Sequence, residues 1–317
     1  MTNLDAQCLA GTDLPALGTR YAGKVRDCYD QGDTLLLVAS DRVSAFDRVI
    51  GLIPWKGQIL TQLSAFWFEQ MGGPTGDRFP NHFIDCPDPA VTRARKCTPI
   101  KLEMVVRAYL TGVTSTSIYR HYQAGQRDFG GVRLPEGMKK NEPLPHPLLT
   151  PSTKADAGLH DETVDRQTLL DRQIVSAADL ETIESMCLGL FSYAQDRMAA
   201  HGLLLVDTKY ELGRDRDGRI VFIDEVHTPD SSRIWDATDY ESRLSDGEEP
   251  TSLDKEYLRR YLKEVGYTGD GPPPPLPDAV RLEMSRRYAT AYERVTGSAF
   301  VPNQEPPLER IKRNLLP

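Results

Sequence analysis

The side chains with the most chemistry to offer are Lys209, Glu211, Asp224, Ser232 and Arg233, all within LLLVDTKYELGRDRDGRIVFIDEVHTPDSSRIW at 203–235. Two apolar runs flank Asp217 and Gly218, the dipeptide favoured in a two-residue type I′ hairpin turn. With those two as the turn, Arg216 faces Arg219, and counting outward puts Glu211 directly opposite Asp224. Opposed side chains in an antiparallel pair stand about 4.5–5.5 Å apart at Cβ on one face. Two carboxylates that close inside apolar strands repel and resist burial unless something positive lies between them. A hard divalent cation such as Mg²⁺, held through one or two carboxylates plus substrate phosphates, meets that need. Lys209, two residues before Glu211, projects to the same face and neutralises part of the charge. The plainer alternative pairs Glu211 with Lys209 or a hairpin-end arginine and needs no metal, and a one-residue slip in register would undo the facing pair.

Other polar clusters are weaker alone. TPDSSR at 228–233 packs hydroxyls, an acid and an arginine into a short loop suited to gripping a phosphate. GKVRD at 23–27 sets Lys24 and Arg26 beside Gly23, where a backbone can approach a ligand closely; it lacks the spacing of a nucleotide P-loop, and a basic surface turn is the alternative. SDRVSAFD at 40–47 follows a buried strand, so Asp41 and Ser44 are candidates for a ligand-facing loop or for capping a helix. Arg107 in VVRAYLTG precedes the hydroxyl-rich 113–117, a phosphate site or a helix cap. TPSTK at 150–154 adds one cation, Lys154. The six histidines show no metal-binding spacing, and no nucleophile elbow is visible.

The elements that must carry these residues alternate in type. A buried strand is predicted at 33–40, a helix at 58–71, a strand at 100–110 and a long loop at 123–159. From 176 an amphipathic helix exposes one apolar face of Ile183, Met186, Cys187, Leu190, Phe191, Ala194 and Met198, with Gly202 as its stop and a strand at 203–212 following. Two further helices are predicted at 254–265 and 278–295, separated by a stiff proline run. At 317 residues the chain can form one large domain or two modest ones. A formal charge of −8 gives no broad pull toward nucleic acid or an anionic membrane. The five cysteines are odd in number, widely spaced and without a C-x-x-C pair, which points to reduced thiols in the cytoplasm. No apolar run reaches the roughly 20 residues of a membrane span.

Taken in order, GKVRD, SDRVSAFD, VVRAYLTG, TPSTKA, VDTKYELG and IDEVHTPDSSRIW closely resemble the SAICAR synthetases (phosphoribosylaminoimidazole-succinocarboxamide synthases), with matches from about 21 to 235 and a continuation to 261. The resemblance implies a two-lobed α+β fold: a smaller N-terminal nucleotide lobe with an antiparallel sheet, 1–104, and a larger C-terminal α/β lobe, 105–317, carrying the metal hairpin and substrate loops. It implies ATP-dependent condensation of carboxyaminoimidazole ribonucleotide (CAIR) with L-aspartate, with ATP and Mg²⁺ required. Gly23, Lys24 and Arg26 would then contact ATP phosphates, with Glu103 near the nucleoside and Glu211 and Asp224 on Mg²⁺. Asp41 and Ser44 would meet the aminoimidazole side, Arg107, Ser232 and Arg233 the ribonucleotide phosphate, and Lys154 and Lys209 the aspartate and the transferred phosphoryl. Val113 stands where many members have serine, and Thr114 or Ser115 could supply that hydroxyl. The residues alone also suit a small-molecule kinase, or a nucleotide-binding regulatory module without turnover. Monomer and small homo-oligomer are both compatible with the sequence.

Overall fold

The computed structural model describes residues 4–113, 117–153 and 162–316. Its packing divides the chain into two compact units: Met1–Cys97 with His227–Asp230 and Ser252–Pro317, and Thr98–Val226 with Ser231–Thr251. This differs from the division at 104/105 expected from sequence. The strand that begins at Thr98 belongs whole to the second unit's sheet, and the C-terminal helices bury their apolar faces in the first unit's core.

The first unit holds β1 (Thr19–Ala22), β2 (Arg26–Asp30), β3 (Thr34–Ala39), β4 (Arg42–Ala45), β5 (Arg48–Leu52), α1 (Lys56–Gln70), β6 (Phe83–Asp88) and β7 (Val91–Arg95). Five of these strands form a sheet in the order β1-β2-β3-β7-β6, and β4 pairs with β5. Ile53, Ile59 and Leu60 pack against Leu258, Leu262, Met284 and Tyr288, the last four from helices at Glu256–Glu264 and Asp278–Thr296. Each side chain fully removed from water there contributes about 1.5–3 kcal/mol. A last helix, Pro307–Leu315, is pinned by buried Arg310, which donates to both oxygens of buried Asp88 at 2.9 and 3.1 Å.

The second unit is built on β8 (Thr98–Tyr109), β9 (Asp128–Phe129), β10 (Val132–Arg133), β11 (Pro143–Thr153), β12 (Glu162–Thr163), β13 (Leu203–Arg214), β14 (Ile220–Ile223) and β15 (Ser232–Asp236). Six of them form one sheet, β12-β11-β8-β13-β14 with β15 on β13, and β9 pairs with β10. Every pairing in both units is antiparallel, so the chain is α+β. The helix Ala177–Ala199 covers the sheet with Leu180, Ile183, Cys187, Leu190, Phe191, Ala194 and Met198 buried. Ser176 caps it by accepting from the Asp179 N–H at 3.1 Å, and Gly202 at φ 68° turns the chain into β13. The predicted 123–159 loop is corrected by β11, an 11-residue strand. Its prolines hid it, yet β12 covers β11 only at Ser152 and Thr153, and an edge over the remainder tolerates residues that cannot donate. Among the described residues, no helix is long and apolar enough to cross a membrane.

Candidate active site

The hairpin forms one residue out of the predicted register. Asp215 N–H donates to the Arg219 carbonyl at 3.0 Å and Gly218 sits at φ 80°. The loop is therefore the three residues 216–218, with glycine in the left-handed position. Glu211 consequently opposes Ile223 in β14, not Asp224, and the acid that does face it is Glu103 of β8. Asp224 lies just beyond β14 at φ 67°, and this break in the extended backbone releases it from strict alternation. Its carboxylate reaches within 3.8 Å of the Lys209 ammonium, which donates to Glu211 at 2.5 Å and to Glu103 at 3.4 Å. Three acids thus converge on one lysine. Burial disfavours that ammonium, but Glu211, Glu103 and Asp224 outweigh it and hold the Lys209 pKa well above its ordinary value. Among the described residues, no group of three or more His, Cys, Asp or Glu side chains could hold a metal ion unaided.

A second cluster occupies the next row of the same sheet face. Asp207 precedes Lys209 by two residues, about 7 Å along β13, and its Cα is paired with Arg107 of β8 on one side and Arg233 of β15 on the other. Both guanidiniums donate to Asp207 Oδ2, Arg107 at 3.4 Å. Arg107 also donates through Nε to Thr150 Oγ1 of β11 at 2.8 Å. Burial lowers the Arg107 pKa from its ordinary value; Asp207 opposes that and Arg233 adds to it, and the group stays charged. Ser232 shares a 2.8 Å hydroxyl contact with Thr208. Gly112, at φ 108°, lets the chain pass close by: a Cβ there would lie 2.4 Å from Ser117 Cβ and 3.5 Å from Arg233 Nη2. Arg107 and Thr150 also line a cavity of about 510 Å³.

In the first unit, Gly23 closes the β1–β2 turn by donating to the Arg26 carbonyl at 2.7 Å, where an added Cβ would sit 3.1 Å from that oxygen. Arg42 clamps this turn, its Nε on the Lys24 carbonyl at 2.9 Å and its Nη2 on the Gly23 carbonyl at 3.1 Å. Lys24 projects outward to Asp47 at 2.8 Å, both well exposed. Asp41 does not offer a ligand-facing carboxylate. It is 4% exposed, and its oxygens accept from the backbone N–H groups of Leu9 at 2.6 Å and Gly57 at 2.7 Å. Burial raises its pKa to about 6 against those hydrogen bonds. The sequence alternative of a helix-capping Asp41 is the one this geometry matches, since Gly57 lies in the first turn of α1. Ser44 lies half-buried in β4 opposite Val49.

The 228–233 loop divides in character. Asp230 is buried, paired with Lys56 at 2.8 Å and Lys255 at 3.4 Å, and accepts from Tyr288 Oη at 2.7 Å. Burial opposes its charge, but the two lysines hold its pKa well below the usual carboxylate range. Ser232 and Arg233 belong to the sheet of the other unit. Asp207, Lys56 and Lys255 were not singled out by sequence, and Asp230 and Thr150 entered only as members of the TPDSSR and TPSTK motifs, without the roles seen here. The alternation of Asp207 with Lys209 and Glu211 was the one available signal. Lys154, Thr114 and Ser115 lie outside the described residues.

A family model described as SAICAR synthetase matches residues 19–274. The phosphoribosylaminoimidazole-succinocarboxamide synthase of Legionella pneumophila (strain Paris) is 42% identical over 311 residues, covering 97% of each chain. That of Cytophaga hutchinsonii is 45% identical over 308 residues, covering 96% of each. In structure, the SAICAR synthase of Saccharomyces cerevisiae complexed with SAICAR aligns with a TM-score of 0.76 at 29% identity, covering 93% of this chain and 100% of its own.

Proposed function

We propose that this chain, which belongs to the SAICAR synthetase family, is an ATP-dependent ligase of purine biosynthesis that condenses CAIR with L-aspartate to give SAICAR, ADP and phosphate. The observation that carries the reading is one sheet face on which an arginine pair suited to a phosphate, one from β8 and one from β15, and a lysine of β13 ringed by acids occupy adjacent rows.

A carboxylate is a poor acyl donor, so the reaction needs activation. A CAIR carboxylate oxygen attacks the γ-phosphorus of ATP, the bond to the β–γ bridging oxygen breaks, and ADP departs. The unprotonated aspartate amine then attacks the acyl carbon of the resulting acyl phosphate, the new C–N bond forms, the acyl C–O bond to phosphate breaks, and the nitrogen gives up one proton as phosphate leaves. Catalysis of such transfers is mainly positioning and charge stabilisation. Arg107, Arg233 and Ser232 hold the ribonucleotide phosphate, with Thr114 or Ser115 as the further hydroxyl. Lys209 stabilises charge on the transferring phosphoryl, and Lys154 serves near the aspartate. Gly23, Lys24 and Arg26 bind ATP phosphates, and Glu103 lies toward the nucleoside. Ser44 is the substrate-side contact of its corner, which Asp41 supports from beneath.

For Mg²⁺, the donor set is the test. Glu211 and Asp224 present oxygen atoms to one cation already, and the ion typically takes one or two carboxylates with phosphate oxygens completing its shell. They fit that demand, and the ion when bound neutralises phosphate charge. The protein is assigned to the cytoplasm, with small-molecule substrates, as a monomer or small homo-oligomer without nucleic-acid or membrane partners. The −8 formal charge and five cysteines that form no disulfide support this.

The reading is tested by ADP release with CAIR, ATP and Mg²⁺, with and without aspartate. The ligase consumes aspartate and ATP in equal amounts. Aspartate-independent ADP release with a lasting phosphorylated product would establish the kinase instead, and no ADP release with all substrates the non-catalytic module.

A further inference from the structure

We infer that Asp207 is the positioning residue that holds Arg107 and Arg233 together as a single anion-binding pair, an inference that rests on reading those arginines as the ribonucleotide phosphate site. The three residues stand in register across β8, β13 and β15. Neighbouring strands are about 4.8 Å apart, so the two arginines start from backbones nearly 10 Å apart. Guanidiniums of like charge at that spacing, 14% and 11% exposed, would splay toward water if left alone. The acid on the strand between them draws both onto the same oxygen, Oδ2.

Asp207 also sets the charge of the pair. Two arginines and one carboxylate leave a net charge of +1, enough to attract a phosphate monoester while letting the arginines coexist when none is bound. Arg107 is further oriented by Thr150, so its planar fork is held at both Nε and Nη1. Among the described residues, its Nη2 meets no protein acceptor, which leaves donors for a phosphate oxygen. The ladder irregularity between Leu205 and Asp207 in the β13–β15 pairing marks where β13 shifts to bring Asp207 opposite Arg233.

The test is a double-mutant cycle on the full chain with CAIR, ATP and aspartate. Asp207→Asn keeps the shape and removes the charge. It is expected to raise KM for CAIR about tenfold while KM for ATP and for aspartate shift less than about twofold. With Arg233 truncated there is no pair left for Asp207 to hold, and Arg107 keeps its Thr150 contact, so adding Asp207→Asn to Arg233→Ala is expected to change KM for CAIR less than about twofold further. An unchanged KM for CAIR in Asp207→Asn overturns the proposal. A lowered KM also overturns it, by making Asp207 only a repellent charge. Full additivity with Arg233→Ala overturns it by marking a role confined to stability. Should Asp207→Asn not fold, Asp207→Ser is judged by the same criteria. The underlying reading fails separately, if Arg233→Ala alone leaves KM for CAIR unchanged.

Discussion

Glu211→Gln probes the lysine-centred cluster most directly, because it preserves volume and one acceptor oxygen while deleting one charge. Glu103, Glu211 and Asp224 surround Lys209; with all four ionised, the cluster carries a net charge of −2, a match for one divalent cation. A divalent ion facing a unit charge at about 4 Å gains about 2 kcal/mol in bulk water and about 8 kcal/mol at an effective dielectric of 20. Glu211 is 11% exposed and Lys209 29%, so the site lies between these limits and solvent screens part of the attraction. A working value of about 3 kcal/mol corresponds to roughly a hundredfold weaker metal response. The assay is initial-rate ADP release against Mg²⁺ concentration at saturating ATP, CAIR and aspartate. The half-activating Mg²⁺ concentration should rise by about that factor, with kcat falling roughly 10²–10³-fold as charge stabilisation is lost. The melting temperature should stay within a few degrees, since Lys209 retains Glu103 and Asp224. A half-activating concentration and a kcat both within about threefold of wild type would refute the metal role of Glu211.

Lys24→Ala, at an exposed turn clamped from behind by Arg42, is expected to raise KM for ATP about tenfold and leave KM for CAIR unchanged; the reverse pattern in steady-state kinetics would remove Lys24 from the nucleotide site. Arg310→Met leaves Asp88 buried without its two guanidinium donors and should cost about 3–5 kcal/mol in urea unfolding, so a loss below about 1 kcal/mol would contradict the pairing. His227 is fully buried edge-on to Trp67, and burial lowers its pKa to about 3. The unfolded chain therefore takes up the proton first, and stability that is present above the ordinary histidine pKa of about 6.5 is lost as pH falls toward 3. Between pH 7 and 5 the unfolding free energy of wild type should drop roughly 2 kcal/mol relative to His227→Phe, and parallel pH profiles would show that the imidazole is not held neutral.

What the sequence determined by itself is local. The helix at 177–199 was legible because seven apolar side chains recur at helical spacing ahead of a glycine stop, β3 because its apolar run is continuous, and β8 and β13 because their apolar residues dominate strand-length runs. The motif order carried the family, and Lys209, Glu211 and Asp224 were recognised as a group. Tertiary structure decided how that group is assembled. A three-residue loop in place of a two-residue one moves the β13–β14 ladder by one position, so Ile223 rather than Asp224 faces Glu211 there, and the separate β8–β13 pairing sets Glu103, remote in sequence, opposite Glu211 on the other side. Asp224 rejoins the cluster only because its backbone leaves the strand. Asp41 and Asp230 look alike as loop acids, yet both are buried, one on backbone donors and the other between two lysines; burial depends on what packs around a residue, which its own neighbours in the chain do not specify. Asp207 is the clearest case. Its partners lie 100 residues before it and 26 after it, and only strand pairing brings two repelling arginines to a common carboxylate oxygen.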